Sequence, residues 1–178
     1  MSIGALIEEV CHTRGLTQKE LGNIGNISSK TVSAIKLGRR NAAKDVLNSW
    51  AEKLDCPRVY LEMVREAGGG VYGTIWLDGE NVDLHRTSVF MKAEEELREA
   101  LEALGATEQF IINHPTQTSD GQKEQIREAL MQCLDARVAI DTLVAVKCEA
   151  YGLSVRNLFL EHQHKLEQRG YIKKKVMR

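Results

Sequence analysis

The sequence predicts a mostly α-helical chain: a small N-terminal helical domain followed by a helical C-terminal domain with a small β-hairpin between them. Three observations lead there. Strand-favouring residues are scarce, with 5% aromatics, while Leu, Ala, Glu, Lys and Arg recur throughout. Apolar residues return every three to four positions rather than every two. Helix-starting residues stand in front of several of these runs. The 178 residues, 43% hydrophobic and 28% charged, suit one ordinary globular domain or two small ones.

The elements follow in order. Ile3, Leu6, Ile7 and Val10 lie on one helical face, and that helix ends near Gly15. Thr17-Gln18-Lys19-Glu20 has the form of a capping box, and Leu16 and Leu21 stand at the staple positions around it. Eleven residues on, Ser28 caps a third helix, with Ile27 and Val32 as its staple. Between the two lies Ile24-Gly25-Asn26-Ile27, where Gly or Asn can take the left-handed conformation of a sharp turn. Val46, Leu47, Trp50 and Leu54 mark a fourth helix, and Pro57 opens a fifth carrying Leu61 and Val64. Leu6, Leu21, Ile27, Val32, Ile35, Leu47 and Trp50 are the expected core of this unit.

Gly68-Gly69-Gly70 reads as a linker, giving domains over 1–66 and 92–178 joined by residues 67–91. Within 67–91, Asp78-Gly79 between two β-capable runs, 71–77 and 81–85, predicts the hairpin. A helix is expected from Ala93 to Gly105, then a short strand or buried loop over 110–112. A long helix capped by Ser119 or Asp120 runs to Tyr151, and Ser154 caps a last one, so the two should form an antiparallel hairpin suited to self-association. Lys173-Lys174-Lys175 is expected to be a frayed basic tail.

The net charge of −1 conceals an uneven distribution. Arg14, Lys19, Lys30, Lys36, Arg39, Arg40 and Lys44 face the single acid Glu20 within residues 14–44, a local net of +6. Residues 92–105 carry −3. Cys11, Cys56, Cys133 and Cys148 are widely spaced without a CxxC pair, as expected of buried reduced thiols. With no signal segment and no apolar run long enough to span a bilayer, a cytoplasmic protein without membrane partners is expected. No metal site is expected. His162 and His164 point about 200° apart on a helix, and His12, His85 and His114 are isolated. No nucleophile elbow, phosphate loop or HExxH occurs, so neither catalysis nor a cofactor is expected.

The segment LTQKELGNIGNISSKTVSAIKLGRR, Leu16 to Arg40, resembles the Cro and phage-repressor (XRE-type) helix-turn-helix family without a gap. It departs from that family at the turn, where Gly25 replaces an apolar residue and Asn26 a glycine. The resemblance implies a five-helix lambda-repressor-like DNA-binding domain. A major groove admits one α-helix, and reading it takes polar side chains on that helix with cations to either side. Helix 3 offers Ser28, Ser29, Lys30, Thr31, Ser33 and Lys36 around the apolar seam of Val32 and Ile35. By family position, Ser29, Lys30 and Ala34 should address base edges, and Thr17 and Gln18 the phosphates at a helix N-terminus. Arg39, Arg40 and Lys44 flank the other side.

The resemblance therefore implies a transcriptional regulator of bacterial or phage type, a repressor, that binds double-stranded DNA as a homodimer or higher homo-oligomer formed through residues 92–178. The alternative is an antitoxin-like or anti-repressor adaptor that uses its C-terminal helices to bind a protein. Ala150-Tyr151-Gly152-Leu153-Ser154 loosely resembles the turn of a second helix-turn-helix, although ordinary Gly and Ser caps produce the same letters. The sequence identifies no effector.

Overall fold

The computed structural model describes residues 3–77, 79–112 and 114–173. Among these there are α-helices and one 3-10 turn but no strand. Two compact units are formed, one by residues up to Gly73 together with those from Cys148 onward, the other by residues 74–147.

The first unit contains α1 (Ile3–Arg14), α2 (Gln18–Gly25), α3 (Ser29–Lys36), α4 (Lys44–Leu54) and α5 (Pro57–Ala67). α1 packs on α3 and α5, α2 on α3 and α4, and α4 on α5. The apolar faces read from the sequence for the first four helices meet at the centre: Ile7, Leu21, Val32 and Trp50 are fully buried, with Leu6, Ile35 and Leu47 around them. The fifth helix instead buries Val59 rather than the expected Leu61 and Val64, of which Leu61 is half-buried and Val64 exposed. Ile27 packs against this core but is only partly buried. Each such side chain contributes on the order of 1.5–3 kcal/mol when removed from water. α1 approaches the end of α3 so closely that a Cβ on Gly4 would lie 2.3 Å from the Ile35 carbonyl oxygen.

The glycines at 68–70 are not an open linker. The Gly70 N–H donates to the Arg65 carbonyl (2.9 Å) and the Gly69 N–H to that of Glu66 (3.1 Å), closing α5. Residues from Cys148 onward also belong to this unit, unlike the expected single domain over 92–178. Asp55, left-handed at φ 44, accepts the Arg156 N–H at 3.0 Å, and the Arg156 guanidinium lies 3.7 Å from Glu52. Cys148 and Val155 are buried. These contacts anchor the start of α8 (Val155–Gln168), which Ser154 caps by accepting the Asn157 N–H.

The second unit is built on α6 (Arg86–Ile111) and most of α7 (Asp120–Tyr151), joined through a 3-10 turn at Pro115–Gln117. They run antiparallel: Lys147 Nζ sits 5.7 Å from the Phe90 ring centre, and further along Leu97 and Leu104 line one groove with Cys133 and Ile140. α6 begins seven residues before Ala93, where Asp83 accepts the His85 N–H (2.9 Å) and the Ser88 hydroxyl (2.5 Å). It also continues through Gly105, replacing the strand or loop expected over 110–112. A glycine inside a helix costs only about 1 kcal/mol, which the flanking turns outweigh. The expected hairpin is absent: the described residues between 71 and 85 form turns and irregular chain, and Asp78 lies outside the described residues. An isolated two-stranded hairpin is marginal in water. Ser119 and Gln122 exchange bonds in a second capping box that starts α7. Lys174 and Lys175 lie outside the described residues.

Candidate nucleic-acid interface

The helix-turn-helix is set by two local caps and one long-range contact. Thr17 has extended backbone (φ −78°, ψ 157°), and its hydroxyl oxygen accepts the Glu20 N–H at 3.2 Å. The Glu20 carboxylate reaches back to the Thr17 N–H at 2.8 Å and its hydroxyl at 2.7 Å. Those bonds, the backbone one foremost, hold the Glu20 carboxyl below the usual carboxylate range. The single acid in the basic segment is thereby committed to the cap of α2. At α3 the Ser28 oxygen accepts the Thr31 N–H at 3.1 Å and lies 2.9 Å from the Thr31 hydroxyl.

Asn26 turns the chain between them. It is left-handed at φ 53°, ψ 42°, its N–H donates to the Asn23 carbonyl, and the Ile27 N–H donates to the Gly22 carbonyl at 2.9 Å. Asparagine is among the few non-glycine residues that visit this region readily. Gly25, just before it, is buried with Trp50 and Val46 directly over its α-carbon. The departure from the family's turn pattern is thus compensated: a tryptophan on α4 occupies the place of a side chain at 25, and asparagine supplies the left-handed residue.

After α3, Gly38 at φ 67° sends its N–H to Ile35 (2.9 Å), and the Arg39 N–H reaches Ala34 (2.9 Å). This is a Schellman closure, and it fixes where Arg39 and Arg40 leave the helix. Ser28, Ser29 and Lys30 are exposed on the first turn, Thr31, Ser33 and Ala34 are half-buried, and Val32 and Ile35 face the core. Thr17, Gln18, Arg39, Arg40 and Lys44 are exposed.

The cations of the segment divide into two groups. The Arg14 guanidinium donates to the Leu54 carbonyl, and Lys36 pairs with Glu8 at 3.5 Å with its side chain only 13% exposed. These two fasten the unit together, so Lys36 is turned toward α1 and away from the exposed first turn of α3. Lys19, Lys30, Arg39, Arg40 and Lys44 are exposed and pair with no acid among the described residues. Long-range pairing of Lys36 with Glu8 left no local mark in the sequence. Lys19, exposed one residue beyond Gln18, was not among the expected contact residues.

The 32-residue α7 in front of Gly152 and Ser154 is far longer than the helices of this motif, so the turn at 150–154 is an ordinary helix connection. No group of three or more His, Cys, Asp or Glu is placed to hold a metal ion among the described residues. No helix among them is long and apolar enough to cross a membrane. Residues 8–61 match the family model described as Helix-turn-helix. No curated protein and no solved structure matches the chain. With its two capped helices, its left-handed turn and the match over 8–61, the N-terminal segment is a helix-turn-helix domain of the Cro/C1 (XRE) type, a family of DNA-binding transcription regulators.

Proposed function

We propose that this protein is a repressor that binds a two-part operator in double-stranded DNA as a dimer, in the cytoplasm, with the first turn of α3 in the major groove. One observation carries this reading: Lys19 on α2, Lys30 on α3, Arg39 and Arg40 just after it and Lys44 at the start of α4 are exposed and pair with no acid among the described residues, and the exposed first turn of α3 is polar and free of acids. Such a surface suits phosphates on both walls of a groove. Lys30 is the only long donor on that first turn, and it addresses guanine. Ser28 and Ser29 supply short hydroxyls that reach base edges or phosphates. Thr17 and Gln18 stand at the N-terminus of α2, where free amides and the helix dipole favour an anion.

A single domain of this size makes few phosphate contacts, so pairing two across a pseudo-palindrome is the expected route to useful affinity. Occupying such a site blocks transcription sterically. The test is selection of bound fragments from a random duplex library. The reading predicts an enriched motif with two half-sites about one helical turn, or a multiple of it, apart. Recovery of unenriched sequence, together with no shift of any duplex, would instead favour the protein-binding adaptor.

A further inference from the structure

We propose that the groove and outer face of the α6–α7 pair are the self-association surface, and that a second copy of this chain completes a four-helix bundle there. This rests on the dimeric reading above and specifies its location. The size pattern of the pair is inverted. Ala93, Ala100, Ala129 and Ala136 are buried, whereas Leu97, Leu101, Leu104, Leu130 and Leu134 stand outside. Leu101 is 69% exposed and Leu134 51% exposed. A hairpin sufficient to itself would bury its large side chains and expose its alanines. Small residues at a seam let two helices approach closely, and large ones flanking it suit a second layer.

The positions form continuous stripes. Leu97, Leu101 and Leu104 follow i, i+4, i+7 on α6, while Leu130, Leu134, Arg137 and Asp141 follow i, i+4, i+7, i+11 on α7. Leu97, Leu101 and Leu104 line the same groove as Cys133, Arg137 and Asp141. Area supports a second copy as occupant. A 26-residue helix is about 39 Å long. Two such helices side by side present roughly 700–800 Å², close to the ~800 Å² per partner of a stable interface. α8, at 14 residues, is about 21 Å long and offers only a fraction of that area, despite its exposed Leu158 and Phe159.

Charge supports the same occupant. Arg137 and Asp141 lie one turn apart at the edge of the groove, 3.9 Å from each other. An isologous two-fold crossing α7 between them sets Arg137 against the partner's Asp141, and the reverse pair forms by symmetry. A self-complementary pair of this kind favours an identical partner over an unrelated chain.

The experiment is sedimentation equilibrium of the full chain over a wide concentration range, with far-UV circular dichroism of each variant. The wild type should reach twice the 20.0 kDa chain mass. Leu101→Glu/Leu134→Glu should remain at one chain mass with helicity unchanged, and Leu158→Glu/Phe159→Glu should dimerise normally. Should the first variant lose its fold, the charge series decides: Arg137→Asp should weaken association at least tenfold, and Arg137→Asp/Asp141→Arg should restore it. A wild type of one chain mass throughout, dissociation only by the α8 variant, or failure of the reversal to restore association overturns the proposal. DNA binding is read separately. If the wild type binds no duplex while Leu101→Glu/Leu134→Glu still dissociates it, the operator reading falls and this surface stands.

Discussion

The indole Nε1–H of Trp50 donates a 3.0 Å hydrogen bond to the main-chain carbonyl of Leu21, joining α4 to α2 inside the core. The same indole edge lies over Gly25, where a Cβ would sit 2.8 Å from Nε1 and 3.1 Å from Val46 Cγ1. The turn of the helix-turn-helix and the fourth helix are therefore fitted to each other, and the angle at which α3 leaves the turn depends on a residue 25 positions away.

Gly25→Ala should destabilise the domain by about 1–2 kcal/mol, because the strain of an extra methyl in a close-packed site exceeds the helix propensity gained. Trp50→Phe should cost a similar amount, since it removes the indole donor and leaves a void. Combined, the two should cost less than their sum, because the new methyl enters the space the indole vacated. Chemical denaturation of the three variants measures this; strict additivity contradicts the fit described here.

Asn26→Gly should be neutral within about 0.5 kcal/mol, as glycine adopts the left-handed region freely. Asn26→Ala should cost about 1–2 kcal/mol, the penalty of placing a Cβ there. Thermal melts of both variants test this ordering.

Arg58 on α5 donates two bonds to Glu9 on α1, one of them at 3.0 Å. The Arg58 hydrogen bonds lower the Glu9 pKa from its ordinary 4.5, against a smaller opposing effect of burial. A carboxylate so depressed adds stability above its ordinary pKa and loses it as pH falls through the lowered value. Because Glu9 is largely solvated, Glu9→Gln should cost only about 0.5–1 kcal/mol at neutral pH and almost nothing near pH about 2. Urea titrations at the two pH values check it; an equal loss at both would mean that the pair contributes nothing through charge.

What the sequence disclosed and what it withheld follow from range. The caps at Thr17–Glu20 and Ser28–Thr31, the staples and the apolar faces of α1 to α4 are local patterns, and they were legible, whereas α5 buries Val59 and leaves the expected Val64 exposed. The partner of Lys36 is Glu8, 28 residues upstream, and that of Arg156 is Asp55, 101 residues away. No local pattern announces either. Gly105 has the letters of a helix stop, but a stop needs the left-handed conformation, and that residue has ordinary helical backbone inside α6. The Gly25-Asn26 turn was legible as a departure, and its explanation required seeing where Trp50 lies.

On DNA, Lys30→Ala should reduce discrimination between the selected duplex and a scrambled one by about 1–3 kcal/mol. Arg39→Ala should weaken both duplexes alike and make the salt dependence shallower by about two units, one for each half-site of the dimer. Equal losses on both sequences for both variants would contradict the division between base reading and phosphate binding.

The central claim, that the exposed cations around α3 neutralise DNA phosphates, is tested most directly by the affinity of the wild type for a selected duplex between 50 and 200 mM salt. With Lys19, Arg39, Arg40 and Lys44 of both chains of the dimer on phosphates, binding should fall roughly a thousandfold or more over that range. An affinity that stays level, or the absence of binding at the lowest salt, would contradict it.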